Sequence, residues 1–545
     1  MPSKQRVTLL DSTLRDGAQG EGISFSVADK AGIVSALDEL GVDYIEAGNP
    51  GSNPRDAEFF RLAVGLKLAH ARVVAFGSTR RKDCRADADA QLRSLLDAQT
   101  GTVVMFGKSW DFHVERVIGA ALEQNLAMIR DSVAFLRSEG REVIFDAEHY
   151  FDGFAANPGY ALACLRAALE GGAGSLVLCD TNGGRLPSDI VAGVGAALSL
   201  ARVAGPGVVI GIHAHNDSGL AVANSLAAVA SGAFHVQGTL VGFGERCGNA
   251  NLSTIAANLR LKLGMDCLRE DSLSALYRSV RRVAEIANVS IDEGMPYVGL
   301  KAFAHKAGMH VDAVLKSPAS FEHVSPGGVG NERRILASEV GGRSVIFERL
   351  RKVLPGAKKG DPAVAAALAR LKEREGLGYQ YEGAEASLDL LLRKASGAYE
   401  PFFELLRYRT TGERSAGDAA RFSGAHAMVQ LAVGGTVEMQ AAEGDGPVHA
   451  LDLALRKALA LFYPSLAGMR LSDFKVRVLD GTGATASSVR VLIESSDADE
   501  AWTTVGVSTD IIEASWLALV DSVEHKLYKD GVKAPAAIQT KAGSA

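Results

Sequence analysis

The sequence predicts a (β/α)8 barrel, then a mainly helical connector, then a C-terminal α+β domain. Three observations carry this. Eight short apolar runs alternate with helical stretches through the first half, helical periodicity takes over near residue 265, and a strand–helix pattern recurs between about 416 and 530.

The eight runs lie at 7–13, 44–48, 73–78, 102–107, 142–148, 175–181, 210–215 and 235–240. Each is rich in β-branched residues and apolar on both faces, as parallel strands covered on both sides are. Helical stretches such as SVADKAGIVSALDELG separate them, several closed by glycine. Eight such repeats in about 260 residues predict a closed barrel over 1–264. An open doubly wound sheet is the alternative, but no Gly-x-Gly-x-x-Gly follows the first strand.

The segment 265–415 contains DSLSALYRSVRRVAEIAN and DPAVAAALARLKERE and reads as a connector with its own helices. An unstructured loop of that length would be unusual. In 416–530, AMVQLAVGG and TVEMQAAEG precede one helix, and FKVRVLDG, SSVRVLIESS and AWTTVGVS precede another. This weak repeat predicts two α+β halves without a catalytic cluster, suited to ligand sensing, dimerisation or stability. The small, polar segment 531–545 is expected to be a flexible tail.

A net charge of −6 argues against a nucleic-acid surface. It leaves room for small anions held by one or two local cations. The five cysteines, Cys84, Cys164, Cys179, Cys247 and Cys267, form no Cys-x-x-Cys pair. That pattern fits a reducing compartment and predicts a cytoplasmic protein. The N-terminus lacks a signal-peptide core, and no uninterrupted apolar run reaches membrane-spanning length.

Polar residues fall where a barrel places its active site, at the C-terminal ends of the strands. Arg15 and Asp16 follow the first strand, Asp146 and Glu148 end the fifth, and Thr181 and Asn182 end the sixth. His213 and His215 end the seventh, and Glu245, Arg246 and Asn249 follow the eighth. Residues two apart in a strand share a face, so both imidazoles would point into the barrel mouth. Taken alone each histidine could be a core residue. As a His-x-His pair facing Asp16, they predict a metal site open to iron, zinc, manganese or magnesium. Arg15 could stabilise an enolate or alkoxide oxygen, or form a surface ion pair. Asp146 and Glu148 could serve acid–base work, line the substrate pocket, or pair with a barrel cation. The loop GERCGNANL (244–252) offers backbone N–H groups to an anion, although glycine content alone is weak evidence. In HKAGMHVDA, a His310–Asp312 couple suits a general base, in preference to a second metal site built with His305.

With those residues in view, the chain resembles the α-isopropylmalate, homocitrate and citramalate synthase family of the DRE-TIM metallolyases. The resemblance rests on DSTLRDGAQ, GIHAHNDSGLAVANSL, GERCGNANL and HKAGMHVDA and covers nearly the whole chain. GISFSVADK, GSNPRDAEFF, FGKSWDFHV, DAEHYFDGF and RVLDGTGAT look most like the citramalate branch. That likeness implies condensation of acetyl-CoA with pyruvate and water, giving (R)-citramalate and CoA for isoleucine synthesis. It implies metal ligands Asp16, His213 and His215 with Asn249 at or beside the shell, and Mg2+ or Mn2+, or else Zn2+, as the ion. It implies Arg15, Glu148 and His310 as catalytic groups and Thr181 as the holder of the substrate carboxylate. It further implies a homodimer, for which isoleucine is the expected inhibitor; the charge and the apolar runs leave no nucleic-acid or membrane partner expected. One departure is Asp146, which puts a carboxylate where relatives carry a small residue beside the oxo-acid side chain. The alternatives are a 2-isopropylmalate synthase acting on 2-oxoisovalerate, an acyl-CoA lyase, and a non-enzymatic amino-acid sensor.

Overall fold

Eight parallel strands close on themselves in chain order in the computed structural model. They are β1 (Thr8–Asp11), β2 (Tyr44–Glu46), β3 (Arg72–Ser78), β4 (Thr102–Lys108), β5 (Glu142–Glu148), β6 (Ser175–Asp180), β7 (Val209–Ala214) and β8 (His235–Gly238). β8 pairs back onto β1, with Leu10 opposite Gln237. All eight lie where the apolar runs predict them. The structure describes residues 6–205, 207–269, 271–306, 308–336, 342–358, 360–412, 424–479, 487–497 and 500–535. The expected tail beyond 535, the boundary at 415/416 and the end of RVLDGTGAT lie outside those residues.

The barrel interior is layered by the two-residue period of the strands. Leu10, Val74, Val104, Ile144 and Val177 fill an apolar layer. Two residues further along their strands, the inward positions become Phe76, Phe106, Asp146 and Cys179, joined by Glu46, His213 and Gln237. The polar layer thus rests on an apolar floor and opens toward the C-terminal rim. The surrounding helices start and stop as their sequences dictate. Val27–Leu40 opens on a Ser26–Asp29 capping box and closes on Gly41 at φ +84°, where a side chain would be strained.

Pro187–Ala204 is long and apolar enough, by length and composition, to cross a membrane, although Asp189 and Arg202 interrupt its apolar run. It is the helix after β6. It buries Ile190, Val194 and Ala197, and its Gly193 carbonyl accepts a 3.1 Å hydrogen bond from the Tyr150 hydroxyl.

The chain forms two compact units, Met1–Phe303 with Glu322–Arg333, and Ala304–Phe321 with Arg334–Ala545. The expected connector, 265–415, spans the division between them. In the second unit, β9 (Ala304–His305) pairs with β10 (Arg334–Ile335). Helices Pro362–Gly376 and Glu385–Ser396 follow. Two antiparallel sheets come next: β11 (Glu404–Gly412), β12 (Ala425–Val433) and β13 (Thr436–Gly444), then β14 (Arg470–Val478), β15 (Val489–Ser496) and β16 (Ala501–Ser508). Helix Pro447–Ala460 follows the first sheet and Ile511–Lys529 the second, which gives the repeat physical form. Strand β11, inside the segment 265–415 that the sequence reads as connector, is hydrogen-bonded to β12.

The inner faces of both sheets share one core that includes Val429, Leu431, Leu455, Val491, Ile493 and Leu519. Their outer faces differ. Leu492, Val505 and Val507 of the second sheet pack with Val364, Leu371, Leu388 and Leu392 of the preceding helices. On the first sheet, Val437 and Met439 face outward and are 53% and 52% exposed.

Candidate active site

At the barrel mouth a cavity of about 330 Å3 is lined by Arg15, Asp16, Asp146, Glu148, Thr181, His213 and His215, among others. Eight of the nine residues expected at the site come from the barrel unit; seven of them line this cavity, and Asn249 adjoins it through Asp16.

Strand β7 ends at Ala214, and the chain stays extended for one more residue. His215 bridges to Asn249, and its N–H donates to the Asp180 carbonyl at 3.2 Å. Both imidazoles consequently face the Asp16 carboxylate. His213 Nε2 lies 3.5 Å and His215 Nε2 3.9 Å from Asp16 Oδ2. Asn249 Nδ2 donates to Asp16 Oδ1 at 2.9 Å. One ligand atom each from Asp16, His213 and His215 falls within 4.8 Å of the others, and all three residues are buried. Asn249 Oδ1 is buried with no hydrogen-bond partner among the described residues. Two imidazole nitrogens, a carboxylate and a spare amide oxygen suit a divalent cation.

The charges are strongly coupled. Burial would raise the Asp16 carboxyl, yet Arg15, His213 and His215 hold it well below the ordinary carboxylate range. Burial would lower the His213 pKa, but the Asp16 hydrogen bond and charge raise it overall. Burial and the neighbouring His213 push His215 down to about 4. The two imidazoles thus differ because His213 is the nearer to Asp16.

Arg15 is held between two carboxylates and an aromatic face. Its Nη1 lies 2.8 Å from Asp16 Oδ2, its Nε lies 2.6 Å from Glu46 Oε2, and its guanidinium carbon sits 3.8 Å from the Phe76 ring centre. Glu46 was not foreseen. A charged residue inside the apolar run YIEAG was the available signal.

Glu148 pairs with Lys108 at 2.5 Å, a partner supplied by the end of β4. Thr181 Oγ1 accepts the His149 backbone N–H at 2.9 Å. His149 is left-handed at φ +58°, which turns the chain sharply after Glu148. Strain of this kind concentrates at functional sites. Arg246 donates to the Thr181 carbonyl at 2.8 Å and grips Asp217 at 2.8 and 3.0 Å.

Asp146 lines the cavity, but one of its oxygens is committed to Gln237, whose Nε2 donates to it at 2.9 Å. Burial, reinforced by the charge of Glu46, pushes the Asp146 carboxyl up to about 7. His310 belongs to the second unit, where its exposed ring stacks on Phe321 with centres 4.1 Å apart. Asp312 pairs with Lys316 at 2.5 Å in place of the expected couple with His310. Both lie in helix Gly308–Lys316, where positions two apart do not face each other.

The barrel and its rim are those of an HMGL-like enzyme, and the HMGL-like family model matches residues 6–278. The "Homocitrate synthase post-HMGL domain-like" model matches 297–375, and the "LeuA allosteric (dimerisation) domain" model matches 382–527. The (R)-citramalate synthase of Synechocystis is 48% identical over 96% of this chain and 96% of its own. That of Geobacter sulfurreducens is 48% identical over 96% of this chain and 98% of its own. A 2-isopropylmalate synthase from Heliobacterium modesticaldum covers 97% of this chain at 30% identity. The chain belongs to the (R)-citramalate synthase family.

Proposed function

We propose that this enzyme condenses acetyl-CoA with pyruvate and water, releasing (R)-citramalate and CoA. The observation that carries the reading is the convergence of Asp16, His213, His215 and Arg15 on one cavity, in a chain 48% identical to (R)-citramalate synthases.

Asp16, His213 and His215, with Asn249 beside them, would hold a divalent ion, Mg2+, Mn2+ or Zn2+, which supplies Lewis-acid polarisation of the oxo-acid carbonyl when bound. Thr181, with its backbone and hydroxyl both tethered, receives the substrate carboxylate, and Asp146 borders the oxo-acid methyl. Removal of the acetyl methyl proton is assigned to His310, assisted by Glu148 or water. The resulting carbanion forms the new bond to the pyruvate carbonyl carbon. Arg15 is already oriented by Glu46 and Asp16, and it directs its remaining N–H groups to the oxygen where negative charge develops. Water then cleaves the thioester and frees CoA.

The second unit supports a regulated homodimer. The open outer face of the first sheet suits a second copy, and isoleucine is the effector we assign to this domain. A cytoplasmic location agrees with the unpaired cysteines. The deciding experiment follows CoA release with a thiol reagent, from protein given acetyl-CoA, Mg2+ or Mn2+, and either pyruvate or 2-oxoisovalerate. Release with pyruvate, abolished by a chelator, supports the assignment. Preference for 2-oxoisovalerate would replace it.

A further inference from the structure

Gln237 on β8 stands directly opposite His213 on β7 and reaches across the barrel interior to Asp146 on β5. His213 Nδ1 lies 2.8 Å from Gln237 Oε1, and Gln237 Nε2 lies 2.9 Å from Asp146 Oδ1. All three side chains are buried. We propose that Gln237 is a positioning residue that fixes the tautomer of His213, with Asp146 fixing the orientation of the Gln237 amide.

A primary amide has one end that only donates and one that only accepts. Asp146 keeps an accepting oxygen whether or not its carboxyl is protonated, so its Oδ1 meets the NH2 end of Gln237. His235 Nε2, 3.5 Å from the same nitrogen, is an acceptor for it in the tautomer protonated at Nδ1. Its imidazole is neutral because burial pushes it down to about 4. With Nε2 committed, only Oε1 can meet His213. An oxygen that accepts requires the His213 proton on Nδ1, which leaves the Nε2 lone pair facing Asp16. That is the tautomer a metal ligand needs. The inference rests on the metal reading above. It also gives Asp146 a task besides bordering the substrate: a side chain with no acceptor there would leave the amide free to turn.

The test is Mn2+ binding to the full-length, chelator-stripped protein, read from the free-Mn2+ electron paramagnetic resonance signal, with thermal melts of each metal-free variant. Gln237→Met keeps length but removes the acceptor, and should weaken Mn2+ binding ~10–100-fold, with a lower metal-free melt because His213 Nδ1 and Asp146 Oδ1 lose their partner. Gln237→Glu keeps an acceptor for His213 but sets two carboxylates together, and should also bind weakly. The exchanged pair Gln237→Glu with Asp146→Asn restores both hydrogen bonds with donor and acceptor traded, and should recover most of the lost affinity. A merely space-filling Gln237 predicts no such recovery. Mn2+ affinity of Gln237→Met equal to the parent's would overturn the inference, as would an exchanged pair no better than Gln237→Glu alone. A parent protein that binds no Mn2+ would instead remove the metal reading on which the inference stands.

Discussion

Arg15 Nε sits 2.6 Å from Glu46 Oε2, and Glu46 is wholly buried. Burial alone would suppress the Arg15 charge, but Glu46 and Asp16 raise its pKa above the ordinary arginine value. Glu46 therefore aims the guanidinium and keeps it from folding entirely onto Asp16.

Glu46→Ala should expose the value of that pairing. Removing one partner of a buried ion pair costs about 3–5 kcal/mol, because the other charge stays buried. The freed guanidinium should also lose its alignment, lowering kcat by roughly 100-fold. Glu46→Gln keeps a hydrogen-bond acceptor and should fall between. Denaturant unfolding and steady-state CoA release measure the two effects. A Glu46→Ala enzyme with parental kcat would show that Arg15 needs no such support.

Gly244 packs against the candidate metal site without offering it a ligand. A Cβ there would lie 2.3 Å from Asn249 Nδ2 and 3.5 Å from Asp16 Oδ1. Gly244→Ala must displace the Asn249 amide and, with it, the 2.9 Å hydrogen bond that orients Asp16. Loss of such an outer contact costs ~10–100-fold in metal affinity. Titration with Mn2+ should show that loss, with every ligating side chain still present. Unchanged affinity would place Asn249 outside the metal's surroundings.

Glu524 predicts a pH dependence of the second unit. It is almost fully buried, and the Tyr399 hydroxyl lies 2.6 and 2.8 Å from its two oxygens. Burial raises its pKa from 4.5 to about 7. Between those values the folded chain holds a proton that the unfolded chain has lost, so stability falls as pH rises through the window. The loss is on the order of 3 kcal/mol. Glu524→Gln imitates the protonated form, so its melting temperature should exceed the parent's at pH 8 and match it at pH 5. Parallel melting curves at both pH values would show that Glu524 stays ionised when folded.

These residues also mark what sequence pattern can and cannot reveal. The barrel strands were legible because each is a short apolar run bounded by turns, and the rim because charged residues ended those runs. Glu46 and Gln237 were hidden by the same logic. Each is a single polar residue inside a strand, and its importance depends on which strand lies opposite after closure. Strand β11 was missed because Arg407, Arg409, Thr410 and Thr411 break the apolar pattern, as an edge strand with one open face permits. The pairing of Asp312 with Lys316 was hidden until helix Gly308–Lys316 set the spacing of its side chains.

The unequal outer faces of the two C-terminal sheets yield the last prediction. The sheets are repeats, yet Val505 and Leu492 of the second are covered by the helices that contain Leu388 and Val364. Val437 and Met439 of the first have no such cover within the described residues and are about half exposed. An apolar sheet face open to water is where a partner docks. A two-fold dimer uses the same patch from each copy, so one substitution is felt twice. Val437→Glu with Met439→Glu should therefore convert a dimer to a monomer in light scattering. Because those side chains face away from the core of Leu431 and Val429, the melting of the second unit itself should change little. A double variant that remains dimeric would move the interface to another surface. A parent that is monomeric at micromolar concentration would remove the dimer reading altogether.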